Sequence, residues 1–162
     1  MGDLVLLHVG CGGRYYEGFI NTDKSDVNHR GEKIKVDLIH DLGKPWPFKD
    51  ESVDGIVGMH VFIQLTWREL LVAFKEAYRV LKPGGVLRMG QPMAELTDHP
   101  LERLLGWNNI NLFSLDLLKL VLVSHIGFKT FRRRGMHRSW LHPLDITDNR
   151  SERGTMYMEA VK

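Results

Sequence analysis

Leu4-Val5-Leu6-Leu7-His8-Val9-Gly10-Cys11-Gly12-Gly13 is the stretch that decides the fold. A short apolar run that stops at glycines reads as a buried strand of the kind found in parallel sheets. Working outward, further strands are expected at Phe19 to Asp23, Ile34 to Ile39, Val53 to Met59, Val86 to Met89, Phe128 to Phe131 and Thr155 to Val161. Between them lie two helix signals. Thr66-Trp67-Arg68-Glu69 has capping-box spacing, and Leu70, Phe74, Ala77, Tyr78 and Leu81 then recur every three or four residues until Pro83-Gly84-Gly85. Ser114 is placed to cap a second helix over Leu115 to Ile126, with Gly127 as its stop. Some helical content is expected around Leu101 to Leu105, and loop from Met136 to Gly154. Strands alternating with helices predict an α/β fold with a mainly parallel sheet.

The chain has 162 residues, 43% of them hydrophobic and 26% charged, a globular composition expected to form one domain. Its cofactor half is expected at about 1–90 and its substrate-side half at about 91–162. A net charge of +2 gives no reason to expect a nucleic-acid partner. Cys11 is the single cysteine, so no internal disulfide can form. The longest apolar stretches, such as Leu120-Val121-Leu122-Val123, fall far short of the ~20 residues of a membrane span. Met1-Gly2-Asp3 carries no basic signal-peptide start, and a cytoplasmic location is expected.

In open α/β sheets ligands bind beyond the carboxyl ends of the strands, so the residues just after each strand matter most. Gly10, Gly12 and Gly13 follow the first strand and let a ligand approach the backbone. Asp23 closes the second, where a carboxylate can accept from both hydroxyls of a ribose. Asp41 and Leu42 follow the third, as an acceptor and a backbone donor for an adenine; Met59 and His60 end the fourth. A dinucleotide site would need a third glycine and an acid about 20 residues on. Gly10-Cys11-Gly12-Gly13-Arg14-Tyr15 lacks that third glycine, and Asp23 comes only 11 residues after Gly12. A helix on a pyrophosphate has no room, and a nucleoside without phosphates fits better.

The ordered series Leu7-His8-Val9-Gly10-Cys11-Gly12, Gly18-Phe19-Ile20-Asn21-Thr22-Asp23, His40-Asp41-Leu42, Ser52-Val53-Asp54 and Arg79-Val80-Leu81-Lys82-Pro83-Gly84-Gly85 resembles the class I S-adenosylmethionine-dependent methyltransferases, in particular their compact type-11-like group. The resemblance covers residues 4–90 well and the remainder more loosely. It implies a Rossmann-like three-layer sandwich whose seven-stranded, mostly parallel sheet has an antiparallel last strand. The implied cofactor is S-adenosylmethionine, leaving as S-adenosylhomocysteine. The implied contacts are His8, Gly10, Cys11 and Gly12 along the methionyl and ribose parts, Asp23 at the ribose, Asp41 and Leu42 at the adenine, and Met59 and His60 on the floor.

Two departures stand out. His8 occupies a position that is often acidic in the family, and Val61-Phe62-Ile63-Gln64 stands where Val-Leu-Glu-His is frequent. The chain also starts almost at its first strand, so the covering helix of larger relatives is not expected. A catalytically inactive binding or scaffold subunit is therefore an alternative to an active enzyme.

His60, His99 and His137 are candidate general bases, needed only for a weakly acidic acceptor. For each of them an ordinary hydrogen-bonded histidine is the competing role. Cys11 reads as a small packing residue rather than a nucleophile, and the histidines show no metal-ligand spacing. Lys129 to Arg138 is basic but reads as a solvated strand end and loop.

The fourth strand is followed by Gly58-Met59-His60-Val61 rather than the Asp/Asn-Pro-Pro-Tyr of exocyclic-amine methyltransferases, and no Pro-Cys pair is present. The acceptor is then expected to be a small molecule, a glycan or lipid precursor, or a protein side chain. Trp107 is expected to wall its pocket, and the loop 136–148 to close over it. A partner protein or a second copy could supply cover, with Trp46, Phe62 and Trp67 as contacts or, alternatively, as buried packing.

Overall fold

A computed structural model describes residues 4–28, 30–92, 110–145 and 155–162. Its centre is one seven-stranded sheet: β1 (Leu6–Val9), β2 (Ile20–Asp23), β3 (Leu38–Ile39), β4 (Val53–Met59), β5 (Leu81–Gln91), β6 (Thr130–Arg134) and β7 (Met156–Val161). The spatial order is β3-β2-β1-β4-β5-β7-β6. The first five strands run parallel, and β7 pairs antiparallel with both β5 and β6.

The alternation along the strands divides the core in two. Leu7, Val9, Ile56, Leu87, Met89, Met158 and Ala160 point to one face. There they meet Leu70, Phe74 and Ala77 of helix α1 (Trp67–Val80) and Leu118 of the short helix α2 (Leu115–Lys119). Leu6, Val57, Met59, Val86 and Tyr157 point to the other face. Among the described residues that face is covered by no α-helix. Met136, Leu141 and Leu144 of the β6–β7 connection pack on it, the last in a 3-10 turn at His142–Leu144. A parallel sheet must be covered on both faces. The β1–β2 connection is too short to provide a helical layer.

Thr66 caps α1 as its spacing predicts: its hydroxyl accepts from the Glu69 amide, and the Glu69 carboxylate accepts from the Thr66 amide. The helix ends at Val80 and passes directly into β5, where Leu81 pairs with Val53. Pro83-Gly84-Gly85 therefore lies inside the strand, at a register irregularity opposite Val53 to Gly55, rather than in a loop before it.

Three other elements differ from expectation. β3 is two residues rather than six, because the Asp37 carboxylate takes the Asn21 backbone and side-chain N–H groups at 2.8 and 3.1 Å, displacing the ladder pattern there. The second helix is α-helical only over Leu115–Lys119. It continues as a π-helix over Leu120–Ile126, which Gly127 stops at φ 110°. β6 starts later and runs further than Phe128 to Phe131, because Arg132 and Arg134 pair in register with Glu159 and Tyr157 of β7. The expectations for Leu101 to Leu105, His99, Trp107 and Asp148 lie outside the described residues. No helix among the described residues is long and apolar enough to cross a membrane.

Candidate active site

Gly10 and Gly12 lie in the left-handed region, at φ 62° and 55°. Gly10 has a steric reason as well: a Cβ there would come within 2.2 Å of Val61 Cγ2. The bend after β1 thus packs directly on the residue that follows His60. A Cβ on Gly12 would meet nothing within 4 Å. The bend is closed against the protein at Gly10 and open at Gly12, as a ligand cradle requires.

The bend is tied to β2 at two points. The Cys11 amide donates to the Thr22 carbonyl at 3.0 Å, and the Gly12 amide donates to Asp23 Oδ2 at 2.8 Å. Asp23 Oδ1 accepts from the Lys24 amide at 2.8 Å. Asp23 is half-buried, so its carboxylate is fixed and still accessible. The His40 amide donates to the Asp23 carbonyl at 2.7 Å, which sets Asp41 beside Asp23 at the sheet's carboxyl edge. Asp41 Oδ1 accepts from the Gly43 amide, an Asx-type turn, and Oδ2 lies 3.6 Å from Lys44 Nζ.

The loop after Asp41 is pinned from below. Leu42 is buried, and its carbonyl accepts from Trp46 Nε1. Arg79 of α1 donates to the Trp46 and Phe48 carbonyls, and Glu76 accepts from the Trp46 amide. Hydrogen bonds to Glu76 and Asp50 hold the Arg79 guanidinium charged, and the Arg79 contact keeps the Glu76 carboxyl below its usual range. Trp46 and Phe62 are buried, while Trp67 stays 44% exposed.

His8 and Met59 enter the core beneath the bend. His8 is buried on β1; Nδ1 lies 3.0 Å from Asn21 Oδ1, and its ring stacks on Tyr16 with centroids 4.4 Å apart. Burial, partly opposed by the Asn21 hydrogen bond and the Asp23 charge, lowers its pKa to about 4, so the ring is neutral at pH 7. Met59 packs with Leu6, Val57 and Tyr157. Burial, with Asp23 nearby, raises the Cys11 thiol to about 11, which suits the packing role expected of it.

His60 directly follows β4 at φ 56°, a conformation worth about 1–3 kcal/mol of strain in a non-glycine residue. Its amide donates to the Gly90 carbonyl, and Nε2 lies 2.8 Å from Thr155 Oγ1. His137 is exposed on the β6–β7 connection. Phe62 and Ile63, in a 3-10 turn after Val61, are buried in the core, so no acid stands there.

The structure gathers Gly10, Cys11, Gly12, Asp23, Asp41, Leu42 and His60 along the carboxyl ends of β1 to β4. Three residues that sequence reasoning passed over organise them: Asn21, Asp37 and Thr155. Asn21 left a faint signal, an amide inside a strand, where such residues are depleted.

The open bend and the fixed carboxylates match the needs of an adenosyl ligand without phosphates. A model described as a methyltransferase domain matches residues 7–89, half of the chain. No curated protein matches this sequence. A SAM-dependent methyltransferase from Thermotoga maritima is 20% identical, with a TM-score of 0.65 over 100% of this chain and 84% of that one. One from Archaeoglobus fulgidus is 13% identical, at 0.68 over 99% and 87%. The protein seen in complex with the Trm112 methyltransferase activator of Haloferax volcanii is 18% identical, at 0.66 over 98% and 82%. At such identities these three likenesses are of fold, and it is the domain match that carries the assignment. The chain belongs to the methyltransferase family, in its class I, S-adenosylmethionine-dependent branch.

Proposed function

We propose that the chain transfers a methyl group to a small molecule, a glycan or lipid precursor, or a protein side chain, with the Gly10–Gly12 bend, Asp23, Asp41 and Leu42 as the cofactor cradle. When bound, S-adenosylmethionine would supply a methyl carbon activated by its sulfonium, the bond to the acceptor forming as the carbon–sulfur bond breaks and its electron pair stays on sulfur. The chain's own part is alignment, worth up to ~7–11 kcal/mol when geometry is ideal. Asp23 accepts from the ribose hydroxyls, Asp41 from the adenine amino group, and the Leu42 amide donates to the ring. Gly10, Cys11 and Gly12 offer backbone to the methionyl end, with His8 and Met59 supporting them from below. His60 takes the acceptor's proton when the acceptor is an alcohol or another weak acid.

What carries this reading is the Gly12–Asp23 hydrogen bond at a bend whose Gly12 side is open. Titration calorimetry with S-adenosylmethionine, S-adenosylhomocysteine and NAD tests it. Both adenosyl ligands should bind and NAD should not; NAD binding alone, or no binding at all, would sink the proposal. The Trm112 complex of the Haloferax relative supports a partner protein as a further element of the working assembly.

A further inference from the structure

Thr155 precedes β7 immediately, and it is buried. Buried hydroxyls are nearly always hydrogen-bonded, and this one lies 2.8 Å from His60 Nε2, across 95 residues of sequence. Gly90 lies directly beside this contact. Its carbonyl accepts from the His60 amide at 2.8 Å, and a Cβ on it would stand 2.4 Å from Met59 Sδ and 3.3 Å from Thr155 Cγ2. A larger residue at that position would crowd the Met59 and Thr155 side chains where the end of β4 and the start of β7 approach over β5. His60 is thus fixed twice, by its backbone at a positive φ and by its ring. The ring is half-buried while its hydroxyl partner is fully buried, the order expected of a reacting group and the group that orients it. Strained, doubly held residues of this kind cluster at functional sites.

We propose that Thr155 is a positioning residue that sets the ring orientation and tautomer of His60 for taking a proton from a hydroxyl-bearing acceptor. This rests on the proposed methyl transfer and on His60 standing on the acceptor side of the cofactor. The strand pattern named Thr155 only as the first residue of the last strand, with no role at the site.

The test uses the full chain and nitrogen-15 spectra of its histidine rings, with His60→Gln identifying the His60 signals by their loss. In Thr155→Val those signals should move toward a mixture of tautomers, whereas Thr155→Ser should restore the wild-type positions. S-adenosylhomocysteine affinity, by calorimetry, should stay within twofold in both variants. If Thr155→Val does not fold, Thr155→Ala gives the same readout. Unchanged His60 signals without the hydroxyl would overturn the pairing, as would a Ser variant that behaves like Val. A tenfold loss of S-adenosylhomocysteine affinity in Thr155→Val would overturn the acceptor-side assignment. Failure of the wild-type chain to bind S-adenosylhomocysteine would instead overturn the methyl-transfer reading itself.

Discussion

The amide of Gly12 and the carboxylate of Asp23 face each other at 2.8 Å, joining the bend after β1 to the end of β2. One oxygen of that carboxylate shapes the loop while the group as a whole stays accessible. Local order at the bend and an accessible carboxylate therefore meet in a single side chain.

Asp23→Ala should weaken S-adenosylhomocysteine by roughly 1.5–3 kcal/mol, the worth of a hydrogen bond to a charged group. Calorimetry measures this, with a melting curve to show that the chain stays folded. Equal affinity in the variant would remove Asp23 from the ribose.

Alanine at the two bend glycines should separate stability from binding. Gly10→Ala forces a Cβ into Val61 at a positive φ, so overpacking of about 1–3 kcal/mol adds to the backbone strain. Gly12→Ala meets only the strain, ~1–2 kcal/mol, because its Cβ enters open space, but that Cβ would occupy the cradle. Urea unfolding should rank Gly10→Ala as the less stable, and calorimetry should show lost ligand affinity in a folded Gly12→Ala.

His8 makes stability depend on pH. Its folded-state pKa of about 4 lies below the ordinary 6.5, so between those values the unfolded chain binds more protons. The stability held above pH 6.5 is lost as pH falls toward 4, by about 2 kcal/mol between pH 7 and pH 5. Urea midpoints at the two pH values should differ in the wild type and converge in His8→Gln. An equal difference in both proteins would assign the effect elsewhere.

Arg88 and Glu159 form a fully buried ion pair at 3.0 Å. Arg88 also donates to the Gly135 and Met136 carbonyls, and Glu159 accepts from the Trp140 amide. Arg88→Met should cost up to about 3–5 kcal/mol by leaving the buried Glu159 carboxylate only the partly exposed Arg134 guanidinium, 3.5 Å away, and adding Glu159→Leu should recover most of that loss. Denaturant titration of the single and double variants gives the answer.

How much of this was legible in the sequence follows from which interactions are local. The capping box at Thr66 and Glu69, the strand ending at Gly10 and the stop at Gly127 each lie within a few residues, and each was readable. The order of Gly12, Asp23 and Asp41 reads as a ligand edge because strand ends converge in a parallel sheet. The π-helical turn was not legible, since burying Leu118 and Leu122 suits an α-turn equally well. The shortened β3 depends on Asp37 reaching Asn21, and the held His60 ring on Thr155. Those are contacts between distant segments, and no periodicity records them. Arg132 and Arg133 do lie exposed at the end of the edge strand β6, as their charges suggest, but its register against Glu159 and Tyr157 of β7 could not be read from them.

The stretch matching the domain model closes at residue 89, one step beyond Arg88, while the carboxylate that neutralises this arginine waits at 159. A fragment trimmed to the recognisable portion would strip Arg88 of its Glu159, Gly135 and Met136 partners and leave a bare sheet margin along β5. What lies beyond the match completes the sheet and supplies the counter-charge for the half that is recognisable.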